Sequence, residues 1–195
     1  MLKILMPKIF LLSVSLTAAL SQAFAATPYW VEPCTNPKTG CVPGDVDLAR
    51  WAFEDWSRAS NGKLVFTLAP NRESALIRLV WAAPEQGLYG ETMPILVNGH
   101  RGAQINITIA AGPDIKDPLL RDTIVYLTCV HESGHALGLD HTANFEDIMY
   151  SFQYGGDIAQ YFDRYRRKLK SRDDIHKTTA LSPAERAQVL DLTSH

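Results

Sequence analysis

The chain has 195 residues, 46% of them hydrophobic and 21% charged, and its 21 acidic groups outnumber 19 basic ones for a formal charge of −2. That leaves room for one domain with a real core and argues against a nucleic-acid partner. Beyond the N-terminus, no stretch is apolar for long enough to cross a membrane.

Residues 1–25 read as a secretory signal peptide: Lys3 and Lys8 give a basic start, 9–20 is mostly apolar, and Ala23-Phe24-Ala25 is a cleavage site of A-x-A type. The apolar run is short for a membrane anchor. Position 26 is Ala rather than Cys, so no lipoprotein attachment is expected. The expectation is a secreted or periplasmic chain, and export makes a disulfide plausible. Cys34 and Cys41 enclose a loop with Pro37 and Gly40, turn chemistry that can bring the two sulfurs together. Residues 26–44, rich in Pro, Gly and Asn, are expected to be an irregular N-terminal segment, followed by one domain over 45–195.

A helix is predicted over about 45–60, with Leu48, Ala52, Phe53 and Trp56 on one face and Asn61-Gly62 as its stop. Residues 63–69 and 75–81 read as short buried strands. In 88–94, Gly90 and Pro94 disfavour a central strand, which leaves an edge strand or an ordinary loop. Residues 104–110 alternate, with Ile105, Ile107 and Ile109 on one side and Asn106 and Thr108 on the other. Asp117-Pro118 supplies a cap and a first-turn residue for a long helix reaching about 137. A further helix over about 157–173 carries the stripe Ile158, Phe162, Tyr165, Leu169 and six basic residues, Arg164, Arg166, Arg167, Lys168, Lys170 and Arg172. Those charges read either as a solvated face, with Asp157, Asp163, Asp173 and Asp174 near, or as a contact for an anionic surface. Ser182-Pro183-Ala184-Glu185 is a capping box that opens a C-terminal helix.

The most informative residues are His131-Glu132-Ser133-Gly134-His135-Ala136-Leu137-Gly138-Leu139-Asp140-His141, an H-E-x-x-H-x-x-G-x-x-H pattern. Histidines four apart on a helix project from one face and can reach one metal ion. Gly138 can adopt a backbone that ends the helix, which lets His141 return as a third ligand and leaves a fourth zinc position open. Glu132, beside the ligands, is the candidate general base. Cys129, two residues before His131, points away from the ligand face and reads as a buried free thiol. His100, His176 and His195 stand alone and receive no role.

This pattern, with Asp147-Ile148-Met149-Tyr150 downstream as a Met-turn, resembles the metzincin metallopeptidases. It is most similar to the matrixins, the matrix metalloproteinase type. The likeness rests on 135–142 and 147–150, with weaker similarity in Ala52-Phe53-Glu54-Asp55-Trp56-Ser57, in Leu64-Val65-Phe66 and at 181–185. It implies an α+β fold: a small twisted mixed sheet, an active-site helix, a Met-turn and a C-terminal helix. It also implies zinc-dependent hydrolysis of peptide bonds, with one Zn²⁺ on His131, His135 and His141, Glu132 as base and Met149 as a hydrophobic floor beneath the histidines. By the same resemblance, 88–94 borders the substrate cleft, and Tyr150 with the following turn helps form a specificity pocket. Ser151 stands where matrixins usually have Pro. Cys41 as a latency thiol is an alternative to its pairing with Cys34. Calcium is common in matrixins; Asp114, Asp117 and Asp157 are oxygen donors without an assigned site. A different class, an exported zinc-binding domain that recognises a peptide or partner without cleaving it, needs the histidines but not Glu132.

Overall fold

A computed structural model describes residues 26–83, 89–109 and 115–193. The signal-peptide expectation, Asp114 and His195 lie outside the described residues. Five strands form one sheet: β1 (Thr27–Val31), β2 (Phe66–Leu68), β3 (Ile77–Ala82), β4 (Gly90–Val97) and β5 (His100–Thr108), in the order β2-β1-β3-β5-β4. β1 runs parallel to both β2 and β3, β3 runs parallel to β5, and β4 alone is antiparallel. The sheet is therefore mixed, with β4 at one edge. β4 and β5 are joined at Asn98-Gly99, both with positive φ (50° and 81°), the backbone that a tight hairpin needs and that Asn-Gly supplies most readily.

Register lines the inward side chains into rows. Tyr29 pairs with Ile77 and Ile77 with Ala103; Val31 pairs with Leu79 and Leu79 with Ile105; Trp81 pairs with Ile107. All of these are buried. Over this face lie α1 (Asp45–Ala59) and α2 (Pro118–Ala136), packed against each other. Leu48, Ala52, Phe53 and Trp56 of α1, the stripe expected from spacing, are at most 1% exposed. Trp56 Nε1 donates to Ser133 Oγ at 2.9 Å and Val130 O at 3.1 Å, locking α1 onto α2. The α+β class and mixed sheet expected from the sequence are those observed. α2 begins as expected, with the Asp117 side chain accepting from Leu119 N and Pro118 in the first turn.

Three local expectations require correction. Residues 26–44 are not all irregular: β1 lies inside the sheet, held by Leu76 N donating to Pro28 O and by Thr27 N donating to Val65 O. Four of its five residues, Thr27, Tyr29, Trp30 and Val31, favour strands, but Pro28 argues against a central one, and its neighbours on both sides supply the order. β2 is an edge rather than a buried strand, and Leu68 is 53% exposed. The helix expected over 157–173 ends early as α3 (Ile158–Arg166), and a turn leads to α4 (Asp173–Lys177). Asp174 Oδ2 accepts from Lys170 N and Ser171 N, so a side chain takes backbone donors that helix continuation would need. Farther along, α5 (Pro183–Leu192) carries the expected capping box between Ser182 and Glu185. Among the described residues, no helix is long and apolar enough to cross a membrane.

Candidate metal centre

The last turns of α2 deliver His131, Glu132 and His135. Past its C-terminus Gly138 adopts φ 91°, Gly138 N donates to His135 O and Leu139 N to Gly134 O. This left-handed stop reverses the chain and sends His141 back over the helix end. His131, His135 and His141 then offer nitrogens that all lie within 4.8 Å of one another. His141 Nε2 is 3.2 Å from His131 Nε2 and 3.1 Å from His135 Nε2.

Backbone carbonyls fix two of the rings. Nδ1 of His131 faces Ile148 O at 2.7 Å, and Nδ1 of His135 faces Leu139 O at 2.8 Å. A carbonyl can only accept, so each Nδ1 carries the hydrogen and each Nε2 presents a lone pair to the cluster. Burial depresses the His131 pKa to about 4, with smaller contributions in the same direction from His135 and His141 and an opposing one from Ile148 O. His141 is lowered too, first by burial and then by His135. Neutral imidazoles in this tautomer are metal ligands. Their spacing fits zinc, because a tetrahedral ion with Zn–N bonds of about 2.0–2.1 Å separates its nitrogens by about 3.3 Å.

Glu132 is 6% exposed. Burial raises its pKa, a hydrogen bond from Thr92 opposes the rise, and the His135 charge also lowers it. Thr92 Oγ1 lies 2.7 Å from Glu132 Oε2. Gly90 fits close beside the same side chain: a Cβ there would lie 2.5 Å from Glu132 Cγ and 2.7 Å from Oε1. Both residues sit on the inward face of β4, since Gly90 pairs with Ile107 and Thr92 with Ile105. Both lie within 88–94, the stretch expected to border the cleft, where the sequence marks Gly90 only as disfavouring a central strand; no local pattern links positions 90 and 92 to 132. The only signal available was strand alternation running through a Gly.

Met149 is 1% exposed and packs on α2 at Gly134, where a Cβ would meet its Sδ at 2.5 Å and Trp56 Cζ2 at 3.0 Å. The Met-turn is pinned at both ends. Thr142 N donates to Met149 O and Ser151 N to Thr142 O, while Met149 N donates to Glu185 Oε1 at 2.8 Å. Glu185 Oε2 also caps α5 through Ser182 N, so one buried carboxylate ties the turn to the last helix. Tyr161 of α3 donates to Ile148 O at 2.9 Å, the carbonyl that orients His131. This link places residues 151–180, the stretch inserted between the Met-turn and α5, against the metal centre.

Two hollows meet at the histidines. One, of about 910 Å³, runs along β4 and is lined by Gly90, Thr92, Leu96 and Arg101 on one side and by His135 and Gly138 on the other. The other, of about 290 Å³, has walls from Tyr89, Leu127, Tyr150, Phe152, Tyr161 and Phe162. Tyr150, Ser151 and the turn after them thus border the smaller hollow, and Phe162 closes against Tyr89 with ring centroids 5.4 Å apart.

The remaining candidates lie elsewhere. Cys34 and Cys41 form a disulfide with Cα atoms 5.3 Å apart. Cys41 is thereby committed, and neither hollow at the histidines counts it among its walls. Asp45, near the two sulfurs, is held by Arg121 at 2.6 Å and 2.7 Å. Cys129 is a buried free thiol. Asp117 caps α2 and pairs with Arg166, and Asp157 caps α3; among the described residues neither belongs to a group of three or more close ligand side chains. Of the six basic residues in 164–172, Arg164 pairs with Glu146, Arg166 with Asp117, Arg167 with Asp163 and Arg172 with Asp122. Lys168 and Lys170 are the exposed ones outside these pairs.

The matrixin family model matches residues 114–181. This segment is of matrixin type. It takes in the metal-centre histidines, Glu132, the Met-turn and the 151–180 insert, so the insert lies within the matrixin-type region. The sheet and α1 precede that region, and their arrangement around the site fits a matrixin-like catalytic domain. No curated protein matches the chain.

Proposed function

We propose that the protein is an exported zinc-dependent endopeptidase. The observation that carries this reading is a buried carboxylate, Glu132, set beside three convergent imidazole nitrogens in a cleft bordered by an unpaired strand edge. His131, His135 and His141 would hold Zn²⁺, which supplies Lewis acidity toward a scissile carbonyl and lowers the pKa of water toward about 7. An extended peptide would add to β4 as a further strand, its main chain paired with the free edge, and place one apolar side chain in the hollow walled by Leu127, Tyr150 and Phe162. Glu132, its pKa raised by burial, would take a proton from the attacking water and pass it to the leaving amine. Export is supported by the basic, apolar and A-x-A sequence of 1–25, and it suits the Cys34–Cys41 disulfide.

The test is cleavage of an unfolded protein with zinc supplied, run beside Glu132→Ala. We expect the parent to cleave, chelation to abolish cleavage, and the variant to lose about 10²–10⁴-fold. Zinc binding without cleavage by the parent would replace this reading with that of a peptide-recognition domain.

A further inference from the structure

We infer that Thr92 is a positioning residue for Glu132, and that β4 thereby orients the base as well as receiving the peptide. This rests on the endopeptidase reading.

The geometry around Glu132 is asymmetric. Its Oε2 lies 2.7 Å from Thr92 Oγ1, and its own backbone O lies 2.9 Å from the same hydroxyl. Both are acceptors, and a threonine hydroxyl has one hydrogen. An ionised carboxylate is the stronger acceptor and the contact to it is shorter, so the hydrogen goes to Oε2. No other side chain among the described residues hydrogen-bonds this carboxylate. Gly90, two residues earlier on the same face, leaves the gap that Glu132 Cγ and Oε1 fill. Thr92 thus pins Oε2, while Gly90 makes room for Cγ and Oε1 and donates nothing to Oε1, which is left for the proton that the reaction moves.

Thr92 contributes this bond through its side chain, whereas a docked peptide would use the β4 main chain. The two functions of the strand are therefore separable. Removing the hydroxyl should loosen the base and leave peptide pairing intact, and small misplacements of a reacting group can lower a rate by about 10²-fold.

The experiment compares the zinc-loaded parent with Thr92→Val, Thr92→Ala and Thr92→Ser. It measures zinc content, kcat and KM on one peptide, and calorimetric affinity for acetohydroxamate, a zinc chelator whose acid proton needs a base. For Val and Ala we expect parental zinc content, KM within about twofold, and kcat lower by about 10- to 100-fold, with weaker hydroxamate binding. Ser should restore both kcat and hydroxamate affinity. Parental kcat in the Val and Ala variants overturns the proposal. So does a loss confined to KM, or an equal loss in Ser and Val, which would mark a packing effect. If Val misfolds, Ala decides by the same readings. An inactive parent would remove the endopeptidase reading and this proposal together. Activity that is lost in Glu132→Ala yet kept in Thr92→Val removes this proposal alone.

Discussion

His131 carries the sharpest electrostatic consequence of the site. Its folded-state pKa is about 4, chiefly because burial desolvates the imidazolium, whereas an unfolded histidine titrates near 6.5. Between those values the unfolded chain binds a proton that the folded chain refuses, so stability without metal falls as pH drops through that window. The full loss is roughly 3 kcal/mol, reached near pH 4. Urea unfolding of chelator-treated protein at pH 7, 5.5 and 4.5 should show the midpoint falling, and His131→Gln should flatten the slope. A level parental midpoint would contradict this account. Gly134 makes a second, steric demand, because its missing side chain is what admits Met149 Sδ and Trp56. Gly134→Ala should destabilise by about 1–3 kcal/mol through overpacking, even though alanine favours a helix. A thermal shift toward higher stability would show that Met149 can move aside.

At the level of elements, the insert acquires a task through α3. Tyr161 donates to Ile148 O, which also accepts from His131 Nδ1, so the phenol steadies a carbonyl that steadies a ligand. Losing such a support typically costs 10- to 100-fold in metal affinity. Tyr161→Phe should weaken zinc binding by about tenfold, with the helical signal by circular dichroism unchanged; parental affinity by competition with a chromogenic chelator would assign Tyr161 to packing alone. The sequence exposed this region unevenly. Capping boxes and spacing are local, so the starts of α2 and α5 and the stripe of α1 could be read in place. The convergence of three rings follows from a four-residue spacing and one glycine turn. The end of α3 could not be read, because it depends on Asp174 drawing the amides of Lys170 and Ser171. β1 was hidden for a related reason: its order comes from strands 35 to 50 residues away. Thr92 and Gly90 belong to the same class, since their meaning appears only once β4 is laid beside α2.

Across the whole molecule, α1, which precedes the matrixin-type segment, meets α2 and the last residue of the insert at one buried carboxylate. Asp55 of α1 is 0% exposed. Its Oδ2 accepts from Tyr126 OH of α2 at 2.9 Å and from Ala180 N, just before α5, at 2.8 Å, and Oδ1 meets Arg58 at 3.2 Å. The arrangement is enforced from both sides. Desolvation, with the Asp55 charge adding to it, pushes the Tyr126 phenol well above its usual range, so it remains a donor. Ala180 N has no comparable partner if the carboxylate is removed. Asp55→Ala should therefore strand a buried hydroxyl and a buried amide at once, a loss of about 3 kcal/mol in urea unfolding. Asp55→Asn can keep an oxygen at the Oδ2 position for both donors, with its NH2 turned toward Arg58, and should lose less. Equal losses in the two variants would mean that the charge rather than the acceptor geometry matters, and a loss below about 0.5 kcal/mol in Asp55→Ala would mean that water replaces the carboxylate and the junction is not what joins these elements. The metal centre supplies the discriminating control. If Asp55 acts only on this junction, zinc affinity at His131, His135 and His141 should be unchanged in whatever fraction of Asp55→Ala remains folded.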